Sequence, residues 1–342
     1  MINVIVIGCG GMGNHHTPIL AELDNVAVVG VCDLIEERAR LLGEKVGAEW
    51  GLDYREMLAG ADAVWICTPP LDRLEIVTAA AAAGKHIFTE KPICLSLAEA
   101  DQMIAAAGAA GVKYMLGYVR RYMNPYKLLH DTFARGELGD LVACWSRRYM
   151  PYDVSDLWYG QQEASGGVIL DLGSHDCDWL RWIGGDVKTV FAKTFTVRPT
   201  VHADEHGQTM MLFQGGGMGT MDVSWSSYLS ESSMGIVGSN GAIILRPDGS
   251  VRKKIGDGEE ELVDTEGAAI ADSSGNPGKK SKAGEASSPD GKETLHEHFF
   301  RCITEDREPI TSAADGRTTL ATILAAQQSA RSGTSVEVAN AH

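Results

Sequence analysis

Positive charge is scarce in this 342-residue sequence. Lysine and arginine together number 30 against 46 aspartates and glutamates, which gives a formal net charge of −16 at pH 7, and no block of basic residues stands out along the chain. An acidic chain repels phosphate backbones and anionic lipid headgroups. The composition therefore argues against nucleic acids and membrane surfaces as partners.

Cysteine pairs and long apolar runs are also missing. The seven cysteines include no CxxC pair, which argues against a disulfide framework and a structural zinc site, so we predict reduced thiols and no bound metal. The longest apolar-rich stretch, IVTAAAAAGKHIF, is broken by Gly84, Lys85 and His86 and is too short to cross a bilayer. Because the N-terminus also lacks the pattern of an export signal, we expect a cytoplasmic protein.

The length and a change of pattern along the chain predict two domains. Residues 2–118 alternate short β-branched runs with helical patterns rich in Ala, Leu and Glu, which is typical of a doubly wound parallel sheet. After about residue 120, strand-like runs follow one another, and this order favours a mainly antiparallel sheet. These runs cover residues 141–149, 187–198, 208–226 and 232–246, with one helical stretch at 167–183.

The last part of the chain is predicted to contain a loop and two helices. Residues 265–292 are rich in Gly, Ser, Lys and Ala and nearly empty of large apolar side chains, so we expect a mobile loop there. Two closing helices follow within about 293–331. We therefore divide the chain into domains of residues 1–120 and 121–342 and place the closing helices in the second domain.

Glycines are concentrated between the first predicted strand and the first predicted helix. The stretch VIVIGCGGMGNHH contains the spacing GxGxxG. In this setting the first glycine permits a tight turn, the second lets a pyrophosphate approach the backbone, and the third lets helix and strand pack closely. The free N–H groups at the helix N-terminus can then bind the phosphates. The predicted dinucleotide loop consists of Gly8, Gly10, Gly11, Met12 and Gly13.

An acidic residue supports this interpretation of the loop. Asp33 lies at the end of the second predicted strand, 20 residues beyond Gly13, where a carboxylate can bind the adenine ribose hydroxyls. No arginine follows immediately to accept a 2′-phosphate, so NAD is favoured over NADP as the cofactor. The alternative is a structural glycine turn with Asp33 capping the next helix. His15 and His16 are predicted to be helix-surface residues rather than ligands.

The fifth predicted strand ends in TEKP, at the edge where open α/β sheets bind ligands. Pro92 restricts the backbone of Lys91 toward an extended geometry, and the bond before a proline can also be cis. Either geometry would aim the Lys91 ammonium group reproducibly. The alternative is a solvent-exposed lysine before a turn proline.

A second group of titratable residues lies in GGVILDLGSHDCDWLRWI, residues 166–183. In a helix, Asp171, His175 and Asp178 occupy positions i, i+4 and i+7 on one face, beside an apolar stripe. An aspartate one turn before a histidine can orient the imidazole and raise its basicity, as a general base for alcohol deprotonation needs. The alternative is a face of solvated acids, with Asp178 paired with Arg181 and His175 an ordinary boundary residue.

These motifs together resemble the Gfo/Idh/MocA oxidoreductases, the group of glucose-fructose oxidoreductase and inositol dehydrogenase. Besides the glycine loop and Asp33, the resemblance rests on TPP at 68–70, AGKHIFTEKP at 83–92, GGxxxDxGxHxxD at 166–178 and GELGDL at 136–141, and it extends into the C-terminal tail. It implies an α/β protein with an N-terminal Rossmann domain for NAD. It also implies a C-terminal α+β domain whose open-faced, mainly antiparallel sheet serves substrate binding and oligomer contacts.

The resemblance also implies roles for single residues. His175 matches a base that takes the hydroxyl proton as hydride leaves for the nicotinamide, Lys91 a lysine that holds the substrate oxygen, and Asp171 an aspartate that supports the histidine. The implied cofactor contacts beyond the glycine loop are Asp33, Thr68, Pro69, Glu90 and Lys91. The expected substrate contacts, which draw also on the polar and aromatic segment 147–159, are Lys91, Arg120, Tyr152, Trp158, His175 and Asp178.

One residue departs from the family pattern. The family commonly has TPNxxH after the fourth strand, whereas TPPLDR in this chain puts Arg73 in the place of the histidine. The geometry of this part of the cofactor loop is therefore not predicted.

Three functions remain open on the sequence. The first is an NAD-dependent dehydrogenase that acts on a secondary alcohol of a sugar, a sugar derivative or an inositol. The second is a relative that retains NAD and catalyses a net non-redox reaction, such as glycoside cleavage through transient oxidation. The third is a nicotinamide-sensing regulator, against which the presence of Lys91, Asp171 and His175 together argues. A homodimer or homotetramer is expected, because an open sheet face leaves an apolar patch that needs cover.

Overall fold

Short apolar strands alternate with helices through the first part of the chain, as the sequence pattern predicts. The computed structural model describes residues 1–263 and 293–339. These residues form two compact units, one made of 1–118 with 293–317 and the other of 119–263 with 318–339. Each unit has its own sheet.

The first unit contains a parallel sheet. Its strands are β1 (Ile2–Ile7), β2 (Val26–Cys32), β3 (Glu49–Gly51), β4 (Ala63–Ile66), β5 (His86–Thr89) and β6 (Tyr114–Leu116). The helices between them are α1 (Gly11–Ala21), α2 (Glu36–Val46), α3 (Arg73–Ala82) and α4 (Leu97–Ala110). The strand order is β3-β2-β1-β4-β5-β6 with every pair parallel, which is the order of a dinucleotide-binding sheet. The predicted Rossmann fold is therefore confirmed.

Local sequence explains most of these elements. The strands β1 and β4 consist mainly of β-branched and aromatic residues whose side chains are buried. The helix α4 begins where the Ser96 hydroxyl accepts the N–H of Glu99 at 3.3 Å and ends at Gly111, which has a left-handed φ of 66°. Strand β3 was not predicted, because its three residues, Glu-Trp-Gly, carry no strand pattern.

Residues 293–317 belong to the first unit and not to the second domain, so that part of the predicted division is wrong. The helix α9 (Leu295–Thr304) carries Phe299, whose ring centroid lies 5.7 Å from that of Trp65 and 6.0 Å from that of Phe88. Trp65 and Phe88 are themselves stacked at 3.6 Å. Burying these rings against each other holds the segment on the Rossmann sheet. The sequence does not reveal this packing, because the partners are far apart along the chain.

A backbone hydrogen bond adds to this attachment. The N–H of Leu116, in β6, donates to the carbonyl oxygen of Thr311 at 2.8 Å. The helix α9 and the following α10 (Ala313–Ser332) lie close to the predicted closing helices. The predicted mobile loop at about 265–292 lies outside the described residues.

The second unit contains a mainly antiparallel sheet, as predicted. Its strands are β7 (Leu141–Pro151), β8 (Val187–Phe195), β9 (His206–Phe213), β10 (Met218–Ser224), β11 (Ser226–Gly238), β12 (Gly241–Leu245), β13 (Val251–Ile255), β14 (Glu261–Val263) and β15 (Val336–Glu337). The order is β14-β13-β12-β11-β7-β10-β9-β8-β15, and only the β7 and β10 pair is parallel among the described strands. The predicted run 208–226 is a hairpin, because glycines at 215–217 turn the chain between β9 and β10.

Within residues 1–263 and 293–339, helices cover one face of this sheet and leave the other open. They are α5 (Asn124–Ala134), α6 (Gln162–Ser165), α7 (Gly167–Asp171) and α8 (Gly173–Gly184). The helix α8 packs so closely on β10 that a Cβ on Gly173 would lie 3.0 Å from the Met221 side chain. The opposite face carries exposed apolar side chains at Phe191, Phe195, Met210, Leu212 and Met218. The expected open-faced sheet is thus present.

Phe299→Ala is expected to destabilise the first unit by about 3–5 kcal/mol, because Phe299 is fully buried among aromatic rings and its truncation leaves a cavity. Leu41→Ala is the matched control, since Leu41 lies on α2 with 53% of its surface exposed. Urea unfolding of both variants would measure the difference. Equal midpoints for the two variants would contradict the assignment of 293–317 to the Rossmann unit.

Candidate active site

The glycine loop joins β1 to α1, and two of its glycines have no room for a side chain. Gly8 has a left-handed φ of 95°, and a Cβ there would lie 2.8 Å from the carbonyl carbon of Cys67. A Cβ on Gly13 would lie 2.0 Å from the carbonyl oxygen of Gly8. At Gly10 and Gly11, by contrast, a Cβ would meet nothing within 4 Å. The loop is therefore tightly packed on one side and open on the other, where a pyrophosphate can approach the helix N-terminus.

Asp33, after β2, is tied to the same loop. One oxygen of its carboxylate accepts the N–H of Cys9 at 2.7 Å and the other accepts the N–H of Ile35 at 2.8 Å. Each carboxylate oxygen keeps further acceptor capacity. The structural role considered for Asp33 and a role toward a ribose are therefore compatible, because the bonds that hold the carboxylate leave it able to accept hydroxyl donors.

Thr68 follows the carboxyl end of β4, and its side chain tests whether this edge of the parallel sheet fits a cofactor. Its hydroxyl oxygen is buried and makes no hydrogen bond within the part of the chain that the structure describes. A buried hydroxyl without a partner is unfavourable, and a ligand that reaches it would remove that cost. With the open space in the glycine loop and the carboxylate of Asp33, the first unit fits a dinucleotide. Met12, in the first turn of α1, and Pro69, next to Thr68, adjoin this region.

The backbone of Lys91 is held by the residue before it. Glu90 follows β5 with only 6% of its surface exposed, and its Oε2 accepts the N–H of Lys91 at 3.1 Å. The peptide bond between Lys91 and Pro92 is cis, which is one of the two geometries predicted from the proline. The position of the Lys91 main chain is thus determined by a buried carboxylate.

The other oxygen of Glu90 contacts His16, which in turn contacts His296. Nε2 of His16, from α1, lies 2.8 Å from Glu90 Oε1, and Nδ1 of His16 lies 2.7 Å from Nε2 of His296, from α9. The prediction that His16 is a surface residue is wrong, because the inner face of α1 buries it to 4% exposure. His15 is exposed, as predicted.

Burial and neighbouring charges together determine which members of the group Glu90, His16 and His296 are ionised. Burial opposes a charge on Glu90, but the hydrogen bond from His16 and the positive charges around the carboxylate, those of Lys91 and Arg73 among them, together outweigh burial and lower the pKa of Glu90. Because an ionised carboxylate only accepts, Nε2 of His16 carries the proton that faces Glu90. Burial, helped by the charge of His16, lowers the pKa of His296 well below 6.5. His296 is therefore neutral, and Glu90 is the anionic end of the group.

Arg73, the residue that departs from the expected pattern, lies at the start of α3 with 2% of its surface exposed. Its Nε and Nη2 donate to the carbonyl oxygen of Thr68 at 3.1 and 2.7 Å. Its Nη1 donates to the carbonyl oxygens of Glu90 and Pro92. The arginine therefore joins the segment after β4 to the segment after β5.

Asp171 and His175 keep the helical spacing that the sequence predicts. Only Leu172 separates α7 from α8, and its backbone stays in the right-handed helical region, with φ −71° and ψ −47°. Asp171 therefore lies one turn before His175 on the same face. Both side chains are buried, so the alternative of a solvated helix face is wrong.

An aromatic group lies next to Asp171. The rings of Trp158 and Tyr159 are stacked at 4.0 Å, and Tyr152 approaches Tyr159 at 6.2 Å. Burial raises the pKa of Tyr152, and the negative charge of Asp171 raises it further. The three rings thus form one group, and Tyr152 is the member on which the charge of Asp171 acts.

Arg120 and Asp178, two predicted substrate contacts, form buried ion pairs. Arg120 Nη1 donates to Asp176 at 2.7 Å, and Asp178 accepts from Nη2 and Nε of Arg121 at 2.6 and 3.0 Å. Arg121 is thus a partner of Asp178 that the sequence analysis did not consider. Asp178 is 0% and Arg120 3% exposed, so both side chains are buried within the second unit, and their role as substrate contacts stays a prediction.

The sequence contained a signal for these pairs. Arg148 also lies 2.9 Å from Asp176, and burial, which opposes the charge of Asp176, is outweighed by Arg120 and Arg148, which lower its pKa. Buried aspartates such as Asp176 and Asp178 need cationic side chains as partners, because an unpaired charge in the protein interior is costly. The sequence contains two pairs of adjacent arginines, at 120–121 and 147–148, and these were the candidate partners for the two aspartates.

Family models match the whole of the first sheet and most of the second. The model described as an oxidoreductase family with an NAD-binding Rossmann fold matches residues 2–118, and the model of the Gfo/Idh/MocA C-terminal domain matches residues 126–244. The chain belongs to the Gfo/Idh/MocA oxidoreductase family. The resemblance inferred from the motifs is confirmed.

Individual relatives of this Gfo/Idh/MocA protein act on polyhydroxylated compounds. The chain is 31% identical to the myo-inositol 2-dehydrogenase of Thermotoga maritima, over 70% of this chain and 73% of the relative. It is 26% identical to a D-apiose dehydrogenase of Paraburkholderia graminis, over 97% and 88% of the two chains. An oxidoreductase from Agrobacterium radiobacter, solved with NAD+, L-tartaric acid and magnesium, has the same fold, with a TM-score of 0.86, 23% identity and 98% of each chain covered.

Membership of the Gfo/Idh/MocA family makes the first unit a pyridine-nucleotide-binding Rossmann domain. Across residues 1–263 and 293–339, no three or more His, Cys, Asp and Glu side chains are grouped so as to hold a metal ion. None of the helices in these ranges combines the length and the apolar character needed to span a membrane.

Gly13→Ala is expected to lower the stability of the Rossmann unit by about 1–3 kcal/mol, because the added methyl group clashes with the Gly8 carbonyl oxygen. Gly11→Ala is the control within the same loop, since its methyl group enters open space. Thermal unfolding of the two variants measures the difference. A Gly13→Ala protein as stable as the control would show that the close contact between loop and helix is not needed.

Proposed function

We propose that this Gfo/Idh/MocA protein is an NAD-dependent dehydrogenase that oxidises a secondary alcohol of a sugar, a sugar derivative or an inositol. The observation that carries the proposal is the immobilised Lys91, whose backbone is held by buried Glu90 and flanked by carbonyls bound to buried Arg73. Parallel α/β sheets bind ligands at this edge. An ordinary surface lysine has no need of such support, and the inositol and apiose dehydrogenases among the relatives support a polyhydroxylated substrate.

In the proposed reaction, the substrate hydroxyl loses its proton and the carbon loses a hydride, so the alcohol becomes a ketone. His175 takes the proton as general base. Lys91 donates a hydrogen bond to the same oxygen and stabilises the negative charge that develops on it. Asp171 orients the imidazole of His175 from one helical turn away. Bound NAD supplies the hydride acceptor, which is the nicotinamide ring.

We assign the cofactor to the glycine loop and the segments around it. The N–H groups at the start of α1 would bind the pyrophosphate, and the hydroxyl of Thr68, beside Pro69, has capacity for a further hydrogen bond. The carboxylate of Asp33 accepts ribose hydroxyls, and it would repel the 2′-phosphate of NADP. NAD is therefore the proposed cofactor in preference to NADP. Glu90 contributes by fixing the segment that carries Lys91.

The substrate site is proposed to include Tyr152 and Trp158. A sugar or cyclitol ring offers apolar C–H faces and polar edges, and an aromatic platform with a phenol group matches both. The ring of Tyr152 lies 6.2 Å from that of Tyr159, which is stacked on Trp158 at 4.0 Å, so the two proposed contacts belong to one aromatic group. Arg120 and Asp178 remain proposed members of this site, and their ion pairs with Asp176 and Arg121 would fix their positions.

We also propose a cytoplasmic location. All seven cysteines are free thiols, and six of them are buried. Burial raises the pKa of Cys9, Cys94 and Cys144 to about 12, so these groups stay protonated and serve as small apolar side chains. A reducing compartment suits a chain built in this way.

NADH formation, followed by absorbance with a panel of inositols, aldoses and sugar glycosides, tests the proposed activity. We expect oxidation with NAD and much less with NADP. Lys91→Ala and His175→Ala should each lower kcat by about 100-fold or more, because each removes a group that acts on the reacting oxygen. Lys45→Ala, at an exposed position on α2, is the control and should keep full activity.

Two outcomes would contradict the proposed dehydrogenase. Full activity of Lys91→Ala would remove the lysine from the reaction. If no compound of the panel gave NADH, while the protein retained NAD through dialysis and cleaved a glycoside without net NADH formation, the redox-neutral reaction would be favoured instead.

We further propose that the protein is a homodimer or homotetramer that pairs through the open sheet face. Phe191 on β8 lies opposite Met210 on β9, and Leu212 on β9 lies opposite Met218 on β10, and all four are substantially exposed. An apolar patch shared by three strands is unfavourable in water and is typical of a protein interface. A second copy of the same face would cover it.

Light scattering should give a mass two or four times the 36.7 kDa of one chain. Leu212→Glu is expected to shift the protein toward smaller species, because it places a charge within the apolar patch. Leu41→Glu, on the exposed face of α2, is the matched control and should leave the mass unchanged. A wild-type protein that scatters only as a 36.7 kDa species would rule out this assembly.

A further inference from the structure

The guanidinium group of Arg73 is buried, yet its hydrogen bonds go to backbone carbonyls. Four of its donor contacts are made in this way, two with the carbonyl oxygen of Thr68 and one each with those of Glu90 and Pro92. Burial lowers the pKa of Arg73, and the charge of Glu90 counteracts this effect. A charge in such a place is costly unless its surroundings compensate for it. The compensation here comes from a set of carbonyl dipoles on two separate segments.

These carbonyls have a particular position relative to Lys91. Glu90 and Pro92 are its two neighbours in the chain, so Arg73 binds the main chain on both sides of the lysine. The Lys91 N–H is bound by the Glu90 carboxylate. The third carbonyl, that of Thr68, lies in the segment after β4. Arg73 therefore connects the position of the Lys91 main chain to that of a neighbouring loop.

The shape of the guanidinium group is suited to this connection. Its N–H donors lie in a rigid plane and point in several directions, so one group can bind carbonyls that belong to different segments. A lysine ammonium group is a single point at the end of a flexible stem, and a methionine has no donor. A lysine could bind all three carbonyls only if they converged on its one nitrogen, and a methionine could bind none.

We propose that Arg73 is a positioning residue for Lys91, which it holds in the geometry needed to bind the substrate oxygen. The proposal rests on the proposed function, in which Lys91 acts on that oxygen. Arg73 itself touches neither the substrate nor the reacting atoms. Its loss would leave the lysine present but displaced, and a displacement of about 1 Å can cost about 100-fold in rate.

A first experiment needs no substrate. Hydrogen exchange of the NAD-loaded full chain, read by mass spectrometry, compares wild type, Arg73→Met and Arg55→Met. Arg55 is the control because it is an exposed arginine with carboxylate partners of its own. We expect faster exchange in the peptide that contains Lys91 for Arg73→Met only, with the peptides of β9 and β10 unchanged. Unchanged exchange at Lys91 would overturn the proposal.

A second experiment is a double-mutant cycle with Lys91→Met, measured as single-turnover NADH formation with the polyol or sugar that the panel identifies. Arg73→Met should lower the rate by about 100-fold when Lys91 is present and have little further effect when it is absent. The affinity for NADH, measured by its fluorescence, should fall much less than the rate, although Arg73 also binds the carbonyl of Thr68 beside the proposed cofactor site. Equal losses in both backgrounds would show that Arg73 only supports the fold and would overturn the proposal.

Arg73→Lys separates the remaining cases. It keeps a buried cation, so it carries both experiments if Arg73→Met does not fold, and it should recover the rate only in part. Full recovery would show that charge alone suffices and would contradict the bridging role. Wild-type activity of Lys91→Met would refute the proposed function, whereas an inactive Lys91→Met beside a fully active Arg73→Met would refute the positioning role alone.

Discussion

The geometry of the Rossmann unit's functional edge depends on one buried charge, the carboxylate of Glu90. Its two oxygens have different partners, since one binds His16 and the other binds the N–H of Lys91. An ionised carboxylate cannot remain in an apolar interior without such partners. The rotation of α1, which sets the position of His16, and the path of the chain after β5 are therefore coupled. A shift of either element would leave a lone pair of a buried anion without a donor.

The second unit solves a similar problem with ion pairs. Asp176 and Asp178 lie inside α8 and are bound by Arg120 and Arg121. A buried ion pair adds little net stability, because removing both charges from water costs about as much as their attraction returns, but breaking one costs about 3–5 kcal/mol. Such pairs therefore select one rotation of the helix over others. Because His175 shares the helix with these acids, its direction is selected as well.

Sequence patterns predicted the local features and missed the distant ones. The glycine loop, Asp33 and the cis-compatible proline after Lys91 were recognised because turn chemistry and strand edges are encoded within a few neighbouring residues. The partners of Arg73 and of Asp178 were not, since each lies in a segment that only the folded sheet brings near. His16 was misassigned for the same reason: nothing in α1 alone shows that its inner face meets the carboxylate of Glu90. Residues 293–317 were assigned to the wrong unit because their contacts are with aromatic rings early in the chain.

The main chain around Lys91 explains why the cation Arg73 and the anion Glu90 can both be buried there without a direct hydrogen bond between them. A backbone offers positive character at its N–H groups and negative character at its carbonyls. The Glu90 carboxylate accepts a hydrogen bond from the N–H of Lys91, and Arg73 donates hydrogen bonds to the carbonyls of the residues on either side of Lys91. The negative carboxylate thus meets an N–H group, and the positive guanidinium meets carbonyl oxygens. Glu90 and Arg73 also attract each other, which lowers the cost of burying both charges. A three-residue segment held in this way has little freedom to move, which fixes the point on the main chain from which the lysine side chain extends.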